Sequence, residues 1–385
     1  MAHIAAPASI RRQRTKRAAW LASGHRLFFL ATGVYGALSI VAWLLSLHGY
    51  AAWDSSWHAH EMLYGFAAAG IGGFLSAAVP NWTRSSHFKG IAALALFALW
   101  VAGRVAMWSG VAPALDIAFL PVMAAVVFRR LHRSRNVRNY QVAALVLALA
   151  AFNVVWHLGY ATIGLHGATW VIVTLVALIG GRVVPGFTSN AIMRAGGDWQ
   201  RVVRDPRLDK WAVALVAGAG GLAVFVPGAF AGVAVVAVGL AMAWRSRRWG
   251  TRAAFKWPIV AVLHAAWWFV PVGMVLVGGS MLGAPWPLKT ALHALTAGAI
   301  GGMLVAIATR ASRGHSGRPL VASHLTTAVY ILVIGSALVR LVAPAVSSPA
   351  TAWATSGAMW ALGWLLFAIE HAPMLLLPRA DGKPG

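Results

Sequence analysis

Long apolar runs and short polar breaks alternate along the chain from one end to the other. A helix that spans a bilayer needs roughly 20 apolar residues at about 1.5 Å rise each. Twelve runs approach that length: 27 to 47, 58 to 79, 90 to 108, 109 to 128, 140 to 164, 168 to 187, 211 to 226, 228 to 244, 257 to 278, 288 to 310, 321 to 343 and 350 to 377. Gly, Pro or a cluster of charge marks most of the breaks. The pattern predicts an all-α polytopic membrane bundle of about twelve helices. The divisions between the third and fourth runs and at Val226-Pro227-Gly228 are short and poor in polar residues.

The polar breaks have a sign as well as a position. Of the 32 Lys and Arg residues, all but Arg104, Arg182, Lys289 and Arg340 lie before the first run or after an even-numbered one. Surplus Lys and Arg in short loops mark the cytoplasmic side, so both termini are expected there. Residues 1–26 then form a basic cytoplasmic tail, 27–377 a single transmembrane domain and 378–385 a second tail. The first apolar run exceeds a usual signal-peptide core and is read as an uncleaved span.

Composition agrees with this layout. The chain is 60% hydrophobic and 10% charged, with mean hydropathy +0.72, whereas a soluble domain is about 25% charged. A net charge of +24 would suggest nucleic acid in a soluble protein, but here it reports orientation, and no nucleic-acid partner is expected. Cysteine is absent, which excludes disulfides, thiolate-bound zinc, iron–sulfur clusters and thioether-linked haem. Any metal has to be held by His, Met or carboxylate. Many of the 20 Trp residues, among them Trp43, Trp53, Trp57, Trp82, Trp244, Trp249 and Trp286, fall near span ends as an interfacial belt would.

Ionisable groups inside a bilayer are costly and mark function. The acids within spans are Glu61, Asp116 and Glu370, too few for a relay of titratable groups. Histidine is the commonest metal and haem ligand. His58, His60 and Glu61 open the second span at the outer face, His157 lies in the outer half of the fifth and His293 near the outer end of the tenth. These are the candidate metal residues, with Glu61 as a supporting group. His58 and His60 diverge by roughly 200° on a regular helix, so either the helix begins between them or one alone is a ligand. His264, followed by Trp267, Trp268 and Phe269, suits a ring-stacked haem ligand. Arg104 pairs with Asp116 or holds a haem propionate, and Arg182 does the latter from the inner leaflet or snorkels. Each of these histidines taken alone reads equally as a packing residue. His87, His132, His315 and His324 sit in or beside basic loops and read as solvated or interfacial, and the glycines at 70, 72, 73, 298 and 302 as close helix packing.

Three blocks are recognisable. His58-Ala59-His60-Glu61-Met62-Leu63-Tyr64-Gly65-Phe66, continuing to Val79-Pro80-Asn81-Trp82-Thr83, is the first. Gly181-Arg182-Val183-Val184-Pro185-Gly186-Phe187 is the second, and His293 to Met303 followed by Gly314-His315-Ser316-Gly317-Arg318-Pro319 the third. In order and over nearly the whole chain they resemble the NnrS family of bacterial membrane proteins. The resemblance implies a twelve-helix inner-membrane protein with haem b and copper, linked to nitric oxide metabolism, nitrosative stress and denitrification. It carries His58, His60, Glu61, Arg182, His293, His315 and Arg318 onto motif positions without saying which hold metal. Three activities follow as expectations: a nitric oxide oxidoreductase fed by a quinol or other donor, a non-catalytic sensor, scavenger or metal-handling protein, and, weakest, a metal-free transporter. The catalytic residues are not assigned.

Overall fold

The computed structural model describes residues 19–343 and 348–383. Arg11, Arg12, Arg14, Lys16 and Arg17 of the basic tail lie outside them, as do Pro384 and Gly385. The described residues are helical, without a strand. Twelve long helical rods follow one another: α1 (Gly24–Leu47), α2 (Ser55–Thr83), α3 (Gly90–Ser109), α4 (Pro113–Arg133), α5 (Tyr140–His157) and α6 (Ala161–Arg194). They continue as α7 (Pro206–Phe225), α8 (Ala229–Ser246), α9 (Pro258–Met281), α10 (Leu288–His315), α11 (His324–Val342) and α12 (Pro349–Leu376). Eleven are long and apolar enough to cross a membrane. The exception is α4, which carries Asp116 toward one end and Arg129, Arg130 and Arg133 toward the other, and packs between α3 and α5.

Local chemistry sets the boundaries. Asp54 caps α2 by accepting from Trp57 N at 2.8 Å, and Asp205 caps α7 from Arg207 N and Leu208 N, with Pro206 as its first residue. At 34 residues α6 is about 51 Å long, well beyond a bilayer core of about 30 Å. Arg182 therefore sits on a helix that outruns the apolar slab, where a guanidinium is tolerated.

The most enclosed rods are α2, α6, α9 and α10, while α3, α5, α7 and α11 are largely peripheral. The last helix lies along the first. Trp360 Nε1 on α12 donates to Gly36 O on α1 at 3.0 Å, and the buried Arg26 guanidinium donates to Leu375 O and Leu377 O at 3.3 and 2.7 Å. Between α2 and α10 the approach is close enough that a methyl at Gly70 would meet Leu304 Cδ2 at 2.6 Å, as small-residue packing requires. Trp249, expected at the interface, is fully buried with its ring 4.6 Å from Trp267.

Two rods are not α-helical throughout. Residues Glu61–Ala67 of α2 and Ala294–Gly301 of α10 form π-helix, each beginning directly after a candidate histidine, His60 and His293. Such segments are rare and concentrate at functional sites. The sequence Ile-Gly-Gly-x-Leu occurs in both rods, at 71 to 75 and at 300 to 304.

Candidate metal centre

The first turn of α2 sends His58 and His60 to opposite faces, as their two-residue spacing demands. His60 points toward α3, α4 and α5, where it meets Glu61, Arg104, Asp116, Asn153 and His157, all but fully enclosed. Asp116 is the hub. Its Oδ1 accepts from Arg104 Nη2, and its Oδ2 accepts from Asn153 Nδ2 at 2.8 Å and lies 2.8 Å from His157 Nε2. The same Oδ2 lies 3.2 Å from His60 Nε2. Arg104 Nη1 donates to Glu61 Oε1 at 2.6 Å, and that oxygen is 3.0 Å from His60 Nδ1. The indole of Trp156 covers the imidazole of His60 with centroids 4.2 Å apart.

Two features of this geometry matter chemically. Ligand atoms of His60, Asp116 and His157 lie within 4.8 Å of one another, the spacing of a two-imidazole, one-carboxylate metal site. Oxygen acceptors also face both ring nitrogens of His60: Glu61 Oε1 at Nδ1, and Asn153 Oδ1 at 3.0 Å with Asp116 Oδ2 at Nε2. A neutral imidazole has one N–H to offer. Charge points the same way, because Glu61 and Asp116 confront the single guanidinium of Arg104. With both carboxylates ionised and the imidazoles neutral the group carries one net negative charge, and a buried charge is strongly disfavoured unless compensated.

His58 faces the other way. Its ring stacks on Trp43 at 4.9 Å, and it lies within electrostatic range of His293 and Arg340. His58 Nδ1 and Arg340 Nη1 are buried with no hydrogen-bond partner among the described residues. His293 uses Nδ1 on Lys289 O at 2.6 Å. The outer histidines are thus divided between two nests on either side of α2, one holding His60 and His157, the other His58 and His293.

The remaining candidates are elsewhere. His264 has both nitrogens engaged by hydroxyls, Nε2 with Thr188 Oγ1 at 2.8 Å and Nδ1 with Thr251 Oγ1 at 3.1 Å. Arg182 donates to Asn139 Oδ1 at 2.7 Å, far along α6 from either nest. Asn153 and the hub role of Asp116 were not anticipated. The signal for Asp116 was its rarity as an intramembrane acid, whereas a polar amide on an apolar helix carries little by itself. A third histidine group, also unanticipated, joins His25, His87 and His315, with the His315 centroid 4.6 and 6.1 Å from the other two. Burial first, then Arg130 and Lys89, hold the loop residue His87 below its usual pKa.

A many-helix membrane bundle with a buried cluster of imidazole, carboxylate and guanidinium defines a polytopic membrane protein with a candidate metal centre. The family model for NnrS protein matches residues 19–379, and the chain belongs to that family. It is therefore a nitric-oxide-related membrane protein, in a family associated with metal and haem binding. No curated protein matches the chain.

Proposed function

We propose that the chain is a metalloprotein of the bacterial inner membrane that binds nitric oxide within the bilayer and contributes to nitrosative-stress resistance or denitrification. The observation that carries this reading is the environment of His60, where acceptors face both ring nitrogens and two carboxylates confront one guanidinium. A metal cation held by His60 Nε2, His157 Nε2 and Asp116 Oδ2 supplies the missing positive charge. Imidazole donors suit copper among the late first-row ions. Glu61 on the far nitrogen of His60 is the partner that fixes the tautomer of a ligating imidazole.

For haem b the residues around His58 fit. His58 offers a buried nitrogen without a partner, His293 has one nitrogen engaged, and the unpaired Arg340 nitrogen suits a propionate. His264 fits less well because hydroxyls occupy both its nitrogens, and the two Nη groups of Arg104 are committed to carboxylates. Bound iron or copper would supply a coordination position for nitric oxide, an apolar gas that partitions into lipid. The protein contributes the enclosing indole of Trp156, the charge balance and the orientation of the imidazoles. Reduction would draw on a quinol or another donor.

A proton within the cluster, on a carboxylate or on His60, balances the same charge without any metal, and is the second reading. Metal analysis and an optical spectrum of the purified protein separate the two. Copper together with a Soret band supports the first reading, while the absence of both overturns it. Anaerobic nitric oxide consumption with a reduced quinol then decides between enzyme and binding protein: turnover beyond one equivalent per centre makes it an oxidoreductase, and arrest at one equivalent makes it a sensor or scavenger.

A further inference from the structure

A cavity of about 270 Å³ opens among α5, α6, α7 and α8 at their basic-loop ends. Arg138, Arg182, Arg204, Lys210, Arg245 and Asp209 supply its charged lining. The one carboxylate is spent on two of the five cations. Asp209 Oδ1 accepts from Arg245 Nε at 2.8 Å and lies 2.7 Å from its Nη2, while Oδ2 accepts from Arg204 Nε at 2.7 Å and lies 2.6 Å from its Nη2. Arg182 has only the neutral Asn139 oxygen, and Arg138 and Lys210 make no ion pair among the described residues. A second cavity of about 450 Å³ shares Arg204, Pro206 and Arg245 and adds Arg207, Arg247 and Arg248 against Asp205. The carboxylate of Asp205 is already occupied in capping α7.

This excess lies at a membrane boundary. Trp211 and Trp244 flank it, 55% and 59% exposed, and stack with Lys210 and Arg247 as interfacial aromatics do. Leu178 and Val213 line the same cavity, so its charged mouth continues into an apolar wall. Basic pockets between membrane helices on this side bind phosphorylated lipid head groups.

We propose that this cup binds the phosphoryl group of an anionic lipid, with Arg138, Arg182 and Lys210 meeting the phosphate oxygens and an acyl chain running along Leu178 and Val213. Asp209 holds Arg204 and Arg245 in place beneath it. The pairing gives the bundle a fixed lipid where α5 and α7, both peripheral, flank α6.

The test uses the full chain, purified in detergent, stripped of lipid and titrated with phosphatidylglycerol, cardiolipin, phosphatidylcholine or inorganic phosphate. The readouts are the thermal midpoint and retained lipid by native mass spectrometry. Anionic lipids are expected to raise the midpoint, less so at high salt, and phosphatidylcholine is expected not to. Arg138→Gln and Lys210→Glu, both at exposed positions, should weaken the apparent affinity about fivefold for each unit of charge removed, whereas Arg129→Ala, exposed on α4 and outside the cavity lining, should not. Inorganic phosphate matching the lipids supports the site and assigns it to a soluble anion. An equal response to phosphatidylcholine, or wild-type titrations from both charge variants, overturns the proposal.

Discussion

Replacing Asp116 by Asn keeps the shape of the hub and removes its charge. Asp116 accepts from Arg104 and Asn153 and faces His157 and His60, and it is 2% exposed. Hydrogen bonds to a charged group are worth about 1.5–3 kcal/mol each, but partners of one hub are not additive. Asn leaves Arg104 paired with Glu61, so no charge is stranded, and the expected loss is that of the weakened hydrogen bonds at the hub, about 3 kcal/mol. The control is Asp198→Asn, which removes an ion pair with Arg201 whose side chains are 55% and 85% exposed, and should cost less than about 1 kcal/mol. Both variants are unfolded in mixed micelles after metal has been stripped, so that stability is separated from ligation, with tryptophan fluorescence as the signal. A gap of at least about 2 kcal/mol between the two is expected from those ranges. Equal losses would show that the cluster holds nothing together. The double variant Arg104→Met with Asp116→Leu should cost more than Asp116→Asn, because the buried Glu61 carboxylate then loses its guanidinium.

His60→Ala and His157→Ala should each purify with less than half the metal of the parent, and His264→Ala with an unchanged amount; full retention in the first two removes the centre. Two glycines on α6 separate packing from propensity. A methyl at Gly180 would sit 2.9 Å from Trp267 Cε3, so Gly180→Ala should destabilise by about 1–3 kcal/mol. Nothing lies within 4 Å of a methyl at Gly186, and Gly186→Ala should stabilise by about 0.5–1 kcal/mol, both measured by unfolding. His87 gives a pH test. Its pKa falls on folding, so the unfolded chain holds the proton more tightly, and stability contributed at neutral pH is lost as pH drops from the free value of 6.5 through the lower folded one. The unfolding midpoint of His87→Asn should therefore fall less than that of the parent over this window.

Hydropathy made the rods legible because lipid imposes a length of about 20 residues on each. The twelve runs correspond one to one with α1 through α12, and the rod of lowest hydropathic contrast, α4, is the one that holds Asp116. The pairing of Arg104 with Asp116 was readable because two opposite charges in apolar helices need each other. The grouping of the histidines was less legible. Whether His293 joins His60 or His58 depends on which face of α2 meets α10, and hydropathy carries no azimuth for a helix that is apolar all round. The hydroxyls on His264 come from Thr188 in another rod and from Thr251 in the short helix Thr251–Ala254, and no spacing rule connects them.

The π segments at 61 to 67 and 294 to 301 change how the rods tolerate insertion and deletion. In a regular helix one residue turns everything beyond it by about 100°. A wide turn placed after His60 absorbs such an offset between the imidazoles on one side and the Gly70 contact with α10 on the other. Removing a single residue from 62 to 67 would restore ordinary winding while keeping His58 and His60 on one side, and Gly70 on the other, close to their present faces. For these two stretches the number of residues is a looser requirement than it is elsewhere in the rods.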